Sequence, residues 1–245
     1  MAFLWSKRLL TSRNRNASSL PPRLPYISDT IKLVTRDSPT EEEQNKTFSF
    51  IAVSYRGYWK STGRPSGKGI ELDASAALQW LIQRYSNVGR LRIVIWGQSI
   101  GAGVATGTTA TYLENRSPES SKPTIDGLIL ETPFTSVRDL VVTFYPQKWL
   151  PYRYLTPFLR SRWDSERALE RIARTDGEPK PQILILEASK DEIVPTAQVQ
   201  RLEDLGKSLR LGVERKTIAG ALHTEVLARA DGRREIARFL SDKFR

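Results

Sequence analysis

The chain has 245 residues, 39% of them hydrophobic and 27% charged, enough apolar side chains for one sizeable core and too many for disorder throughout. It contains no cysteine, which excludes disulfides, thiolate metal sites and a cysteine nucleophile. The formal charge of +11 is unevenly placed: residues 1–28 hold Lys7, Arg8, Arg13, Arg15 and Arg23 and no acid, and the remaining excess is dispersed among acids. No zinc-ligand cluster and no continuous basic helix face accompanies that charge, which argues against a nucleic-acid partner and for solubility or an anionic surface.

The opening "MAFLWSKRLLTSRNRNASSL" is basic, rich in Ser and Asn and free of acids. That composition fits a mitochondrial presequence and equally a disordered basic tail, and it lacks the long apolar centre of a secretory signal. "PPRLPYISDT" then reads as a Pro-rich loop, "IKLVTRD" as a short strand, and "SPTEEEQNKT" as an acidic turn or short helix. Residues 1–47 are therefore expected to form a poorly structured tail with one short strand, ahead of a folded domain over 48–245.

Five compact apolar runs follow: "FSFIAVSY", "RIVIWG", "IDGLILE", "QILILEA" and "VERKTIA". Four of the five read as strands buried on both faces. Between them lie helical patterns at 69–85, where Leu72, Ala76, Leu78 or Gln79, and Ile82 share a face, and at 100–113, 197–205 and 233–244. Alternation of strand and helix predicts an α/β fold with a doubly wound, mostly parallel sheet, whose sites lie at the carboxyl ends of its strands. The uncharged run 93–113 is long enough to span a bilayer but carries Gln98, Ser99 and four glycines, so it reads as a buried strand, turn and helix, and no transmembrane helix is expected.

Within that run, Gly97-Gln98-Ser99-Ile100-Gly101 stands between a strand and a small-residue helix, the setting of a nucleophile elbow. Close approach of strand and helix there gives Gly97 and Gly101 a steric reason to be glycine, and the N–H of Ile100, at the helix start, is placed to bind an oxyanion. Alone, the motif is as compatible with a plain Gly-rich turn. Its partners weigh against that. The one histidine, His223, follows the last strand in "AGALHTE", and Asp191, with Glu192 beside it, follows the penultimate strand in "LEASKDEIVP". Ser99, Asp191 and His223 thus occur in the chain order of a hydrolase triad, each after a predicted strand.

At these residues the chain resembles the α/β-hydrolases of the serine lipase and esterase superfamily, and within it the abhydrolase-domain branch that includes monoacylglycerol and lysophosphatidylserine lipases. The resemblance covers residues 48–242 and rests on "YRGYWKSTGRPSGKGIELDA", "VIWGQSIGAGVAT", "LILETPFTSVRD", "LEASKDEIVP" and the region of His223. It implies that Ser99 accepts the acyl group, His223 acts as base and then acid, Asp191 orients the imidazole and Ile100 supplies a backbone oxyanion donor. It implies no cofactor and no metal and a small-molecule ester or lipid substrate; it leaves the compartment open, an intracellular site with mitochondrial targeting or peripheral membrane association being the alternatives. "RGYWKS" departs from the commoner form, which has glycine where Trp59 stands.

The family commonly inserts a small helical lid where this chain has residues 136–175. Within it, residues 144–163 interleave Trp149, Tyr152, Tyr154 and Phe158 with Lys148, Arg153, Arg160 and Arg162, without an acid. Trp149 and Tyr154 suit contact with an acyl chain, and a cap whose aromatics pack on its own core is the alternative. The family also completes its oxyanion hole from a His-Gly loop after an early strand, and residues 1–47 contain neither residue. The early strands and their helix are accordingly expected to be incomplete. The chain would then be a truncated or mis-spliced form, or a degenerate relative of weak activity that binds a lipid or a protein.

Overall fold

A computed structural model describes residues 2–6, 21–36, 48–87, 91–116, 123–144, 163–176 and 179–244. Its frame is a six-stranded, wholly parallel sheet: β1 (Ala2–Ser6), β2 (Ser49–Ala52), β3 (Ile93–Gln98), β4 (Ile125–Glu131), β5 (Gln182–Ala188) and β6 (Val213–Ile218), in the spatial order β2-β1-β3-β4-β5-β6. The helices are α1 (Leu24–Arg36), α2 (Gly67–Arg84), α3 (Ile100–Glu114), α4 (Val137–Phe144), α5 (Ser165–Arg174), α6 (Thr196–Ser208) and α7 (Ala230–Phe244).

Strand alternation divides the core in two. Ile93 and Ile95 of β3, with Leu128 and Leu130 of β4, face the layer of α2, α3, α5 and α6, whereas Val94, Trp96 and Ile129 face α1 and α7. Strands β3, β4 and β5 are buried along nearly their whole length, as their apolar runs require. The expectation of four doubly buried strands is one too many. β2 and β6 are the sheet edges, and their residues are mostly half-buried.

The N-terminal segment departs most from expectation. Ala2–Ser6 fills an interior slot, pairing Ala2 with Ser49 on one side and with Ile93 on the other. Five extended residues span about 17 Å, enough to run beside β3, so the start of the segment expected to be a poorly structured tail is a strand. "PPRLPYISDT" is not a loop and "IKLVTRD" is not a strand: Pro21–Arg23 form a 3-10 turn and Leu24–Arg36 a helix. Ile27, Thr30 and Val34, spaced for one helical face, are buried towards α7, and that packing overrides the β-leaning composition of Ile31 to Val34. The acidic segment 38–47 lies outside the described residues.

In α2 the buried stripe is Ile70, Ala74, Leu78 and Leu81, while Leu72 is exposed, a different phase from the one predicted. Both stripes have helical spacing. The buried one begins at Gly67 and Gly69, where the Arg56 side chain crosses the first turn so closely that a Cβ on Gly69 would lie 2.7 Å from Arg56 Cδ. Arg56 is fixed by Asp73, which accepts from its Nη2 at 2.6 Å and its backbone N at 2.9 Å.

Trp59, in the loop that Arg56 opens, has φ 47°, in the left-handed region that disfavours any side chain. This accounts for glycine in the commoner form of the motif. The indole is 54% exposed, with Lys60 Nζ 5.5 Å from its ring centre, which offsets little of that strain. Trp59→Gly is therefore expected to raise stability by up to about 1 kcal/mol, a Tm increase of roughly 2 °C that calorimetry would register. A fall in Tm would show that the loop depends on the indole.

The 136–175 insertion is described at its ends. Helices α4 and α5 bracket it, a Ser136–Asp164 bridge closes it, and Trp163 is buried against Gly103 of α3. Trp149 and Tyr154 lie outside the described residues. Among the described residues no helix is long and apolar enough to cross a membrane.

Candidate active site

Because all strands run parallel, their carboxyl ends share one edge of the sheet, and the three predicted residues meet there. Ser99 follows β3 with φ 53° and ψ −122°, a conformation that turns the chain sharply from strand into α3. Gly97 is required at that turn, since a Cβ there would overlap the Gly101 carbonyl and stand 2.7 Å from the Ala102 nitrogen. The turn is tied to the next strand by the Ser99 N–H, which donates to the Glu131 carbonyl at 2.8 Å.

Ser99 Oγ lies 2.9 Å from His223 Nε2, and His223 Nδ1 lies 2.9 Å from both carboxylate oxygens of Asp191. Ser99 and His223 are buried, the histidine completely. Asp191 is held in turn: its Oδ1 accepts the backbone N–H groups of Ile193 and Val194, each at 2.8 Å. With the carboxylate at Nδ1, the neutral ring carries its proton there and offers the Nε2 lone pair to the hydroxyl. Ile100, first residue of α3, has a backbone N–H with no partner one turn earlier in the helix.

Glu192, the other acid after β5, takes a different part. Its Oε2 accepts the backbone N–H of His223 at 2.9 Å, gripping the loop while Asp191 meets the ring. The β5 and β6 loops are further joined by Lys190 N–H to the Ala221 carbonyl at 2.9 Å and Gly220 N–H to Ser189 Oγ at 2.8 Å. Below them, burial pushes the Glu187 carboxyl up, but hydrogen bonds from Arg215, Thr196 and Thr217 outweigh it and hold the group below its usual range.

Sequence reasoning assigned no role to Gln98, Glu131, Thr132 or Arg23. Thr132, at φ 45°, donates its hydroxyl to the His223 carbonyl at 3.2 Å, and Gln98 Nε2 reaches the same carbonyl at 3.5 Å. For Gln98, Glu131 and Thr132 a signal was present as polar letters at the ends of apolar runs, in "WGQS" and "LETP"; Arg23, in "PPRLP", carried none.

No family model matches the chain. Protein bem46 of Schizosaccharomyces pombe is 35% identical over 147 residues, 60% of this chain and 43% of that protein. The lysophosphatidylserine lipase ABHD12 of Danio rerio is 33% identical over 161 residues, 64% of this chain and 39% of that protein. The chain thus spans less than half the length of these curated relatives. Among solved structures, the Pyrococcus furiosus esterase Pf2001 superposes with a TM-score of 0.64 at 18% identity, over 100% of this chain and 82% of that one, a likeness of fold.

Proposed function

The chain belongs to the α/β-hydrolase superfamily and is related to its bem46 and ABHD12 lipase branch, and on that premise we propose that it is a serine hydrolase cleaving carboxylic esters, with lipid monoesters or lysophospholipids as substrates. The observation that carries the reading is the continuous hydrogen-bonded line from Ser99 Oγ through the His223 ring to Asp191. In this reading Ser99 Oγ attacks the ester carbonyl carbon while His223 Nε2 takes its proton, and the carbonyl oxygen gains the negative charge. The Ile100 N–H faces that charge at the positive end of α3. Collapse expels the alcohol, protonated by His223, and leaves an acyl-Ser99 ester. Water, deprotonated by His223, then attacks the acyl carbon, and as the bond to Ser99 Oγ breaks His223 returns the proton to that oxygen, releasing the carboxylic acid and the free serine. Asp191 stays ionised and stabilises the imidazolium formed in each half.

The lipid part of the proposal rests on the likeness to the zebrafish relative, a lysophosphatidylserine lipase. Lysophospholipids and monoacylglycerols offered to the purified chain should release fatty acid with saturable kinetics, above a short soluble ester. Equal turnover of all esters would leave the esterase and remove the lipid preference. A second reading rests on the absence of histidine and glycine from residues 1–47: a catalytically weak protein that binds a lipid or a protein partner. It expects covalent labelling of the serine without appreciable turnover.

Asp191→Asn is expected to lower kcat by about 10⁴, because an amide at Nδ1 favours the wrong tautomer and leaves no counter-charge for the imidazolium. A loss of only twofold in steady-state assays would transfer the orienting role to another acid.

A further inference from the structure

Behind the elbow, on the face of the sheet that meets α1, four buried polar side chains converge that the reaction above does not use. Arg23, from the turn ahead of α1, donates through Nη1 to Gln98 Oε1 and through Nη2 to Glu131 Oε1. Trp96 Nε1 donates to the same Glu131 oxygen at 2.6 Å. Glu131 is fully buried and Arg23 is 7% exposed. A buried ion pair is weak support for stability, since apolar residues of the same volume do as well. This one has a directional consequence. A guanidinium only donates, so it fixes the Gln98 oxygen towards itself and turns the amide nitrogen to the His223 carbonyl, 3.5 Å away.

We propose that Arg23 is a positioning residue: through Gln98, and with Glu131 holding its other arm, it sets the height of the His223 loop and so keeps the imidazole within reach of Ser99. The purpose of that positioning rests on the serine-hydrolase reading, but the positioning itself is read on His223. Three links support it. Gln98 immediately precedes Ser99 in the chain, Glu131 receives the Ser99 N–H on its carbonyl, and Thr132, next to Glu131, holds the same His223 carbonyl. Arg23 therefore braces the ends of β3 and β4, the first of which carries the nucleophile while both hold the His223 carbonyl through Gln98 and Thr132.

The test uses the full chain and two routes of disconnection. The double variant Arg23→Met with Glu131→Gln removes both buried charges together, so neither is left uncompensated. Gln98→Met cuts the link and leaves the ion pair, and Arg23→Lys keeps charge without the two-armed geometry. His223 is the only histidine, so its Nδ1–H resonance is assignable in proton NMR without mapping. The wild type should show that proton deshielded by Asp191 and slow to exchange. In the double variant and in Gln98→Met it should broaden or move, while melting stays cooperative. Turnover per fluorophosphonate-titrated site should fall about tenfold or more, with KM within about twofold of wild type, and Arg23→Lys should lie between. A folded variant of either route that keeps both the wild-type resonance and the wild-type turnover per site would overturn the proposal. If the wild type hydrolyses no ester, the hydrolase reading fails, and the resonance alone still decides whether Arg23 positions His223.

Discussion

Ser99→Ala should reduce ester hydrolysis by on the order of 10⁵ or more, to whatever the oxyanion donor and substrate binding supply without a nucleophile. The effect is chemical rather than structural. Alanine tolerates the positive φ of position 99 as well as serine does, Gly97 still admits the close approach of α3, and the only bond lost is the 2.9 Å contact to His223 Nε2. The fold should therefore still melt cooperatively, with a Tm fall of no more than about 10 °C, the leaving of one buried ring nitrogen unpaired being a cost of about 1–3 kcal/mol. Retained turnover in a folded Ser99→Ala protein would mean that another group attacks the ester.

His223→Gln is expected to be of comparable severity. The chain has one imidazole, and its Nε2 stands 2.9 Å from the hydroxyl it must deprotonate. Glutamine fills part of the volume and can hydrogen-bond to Asp191, but it has no basic nitrogen. Serine then meets the ester as a neutral alcohol, a loss of about 10⁵ in groups that act as a unit. The backbone of position 223 keeps its bonds to Glu192, Thr132 and Gln98, so the loop should hold its place. Rate measurements across pH would check this: residual activity of His223→Gln should rise with hydroxide concentration, as a reaction without an internal base does. A variant within tenfold of wild type would show that a different base serves Ser99.

Much of the fold was legible because burial writes itself into composition. Strands β4 and β5 coincide with the apolar runs read as Ile125–Glu131 and Gln182–Ala188, since strands covered on both faces have no reason to alternate. The edge β6 is also read to within one residue, whereas β2 is half the length of the run read for it, Ser49–Ala52 within 48–55. The N-terminal region misleads for a physical reason. Ala2–Ser6 becomes a strand only through pairing with Ser49 to Ala52 and Ile93 to Gly97, and no local spacing encodes such distant partners. Leu24–Arg36 becomes a helix because Ile27 and Val34 find α7, while composition near Ile31 to Val34 leans the other way.

The site divides similarly. Ser99, Asp191 and His223 were nameable because each follows a strand directly, and parallel strands deliver their carboxyl ends to one edge. Asp191 was legible as the orienting acid, with Glu192 only as its neighbour; what was not legible is the separate part Glu192 takes, because adjacent acids in a loop differ only in where the turn points them, and the Ile193 and Val194 amides turn Asp191 to the ring. Arg23, Gln98, Glu131 and Thr132 converge from distant parts of the chain, and only the folded sheet shows that they share neighbours.

Whether Ser99 is a nucleophile activated by His223 is decided by reacting the purified chain with a fluorophosphonate and locating the adduct by peptide mass spectrometry. One stoichiometric adduct on Ser99 is expected, formed rapidly in wild type, absent from Ser99→Ala and formed slower by orders of magnitude in His223→Gln. An adduct on another residue, or equal labelling rates in wild type and His223→Gln, would contradict that activation.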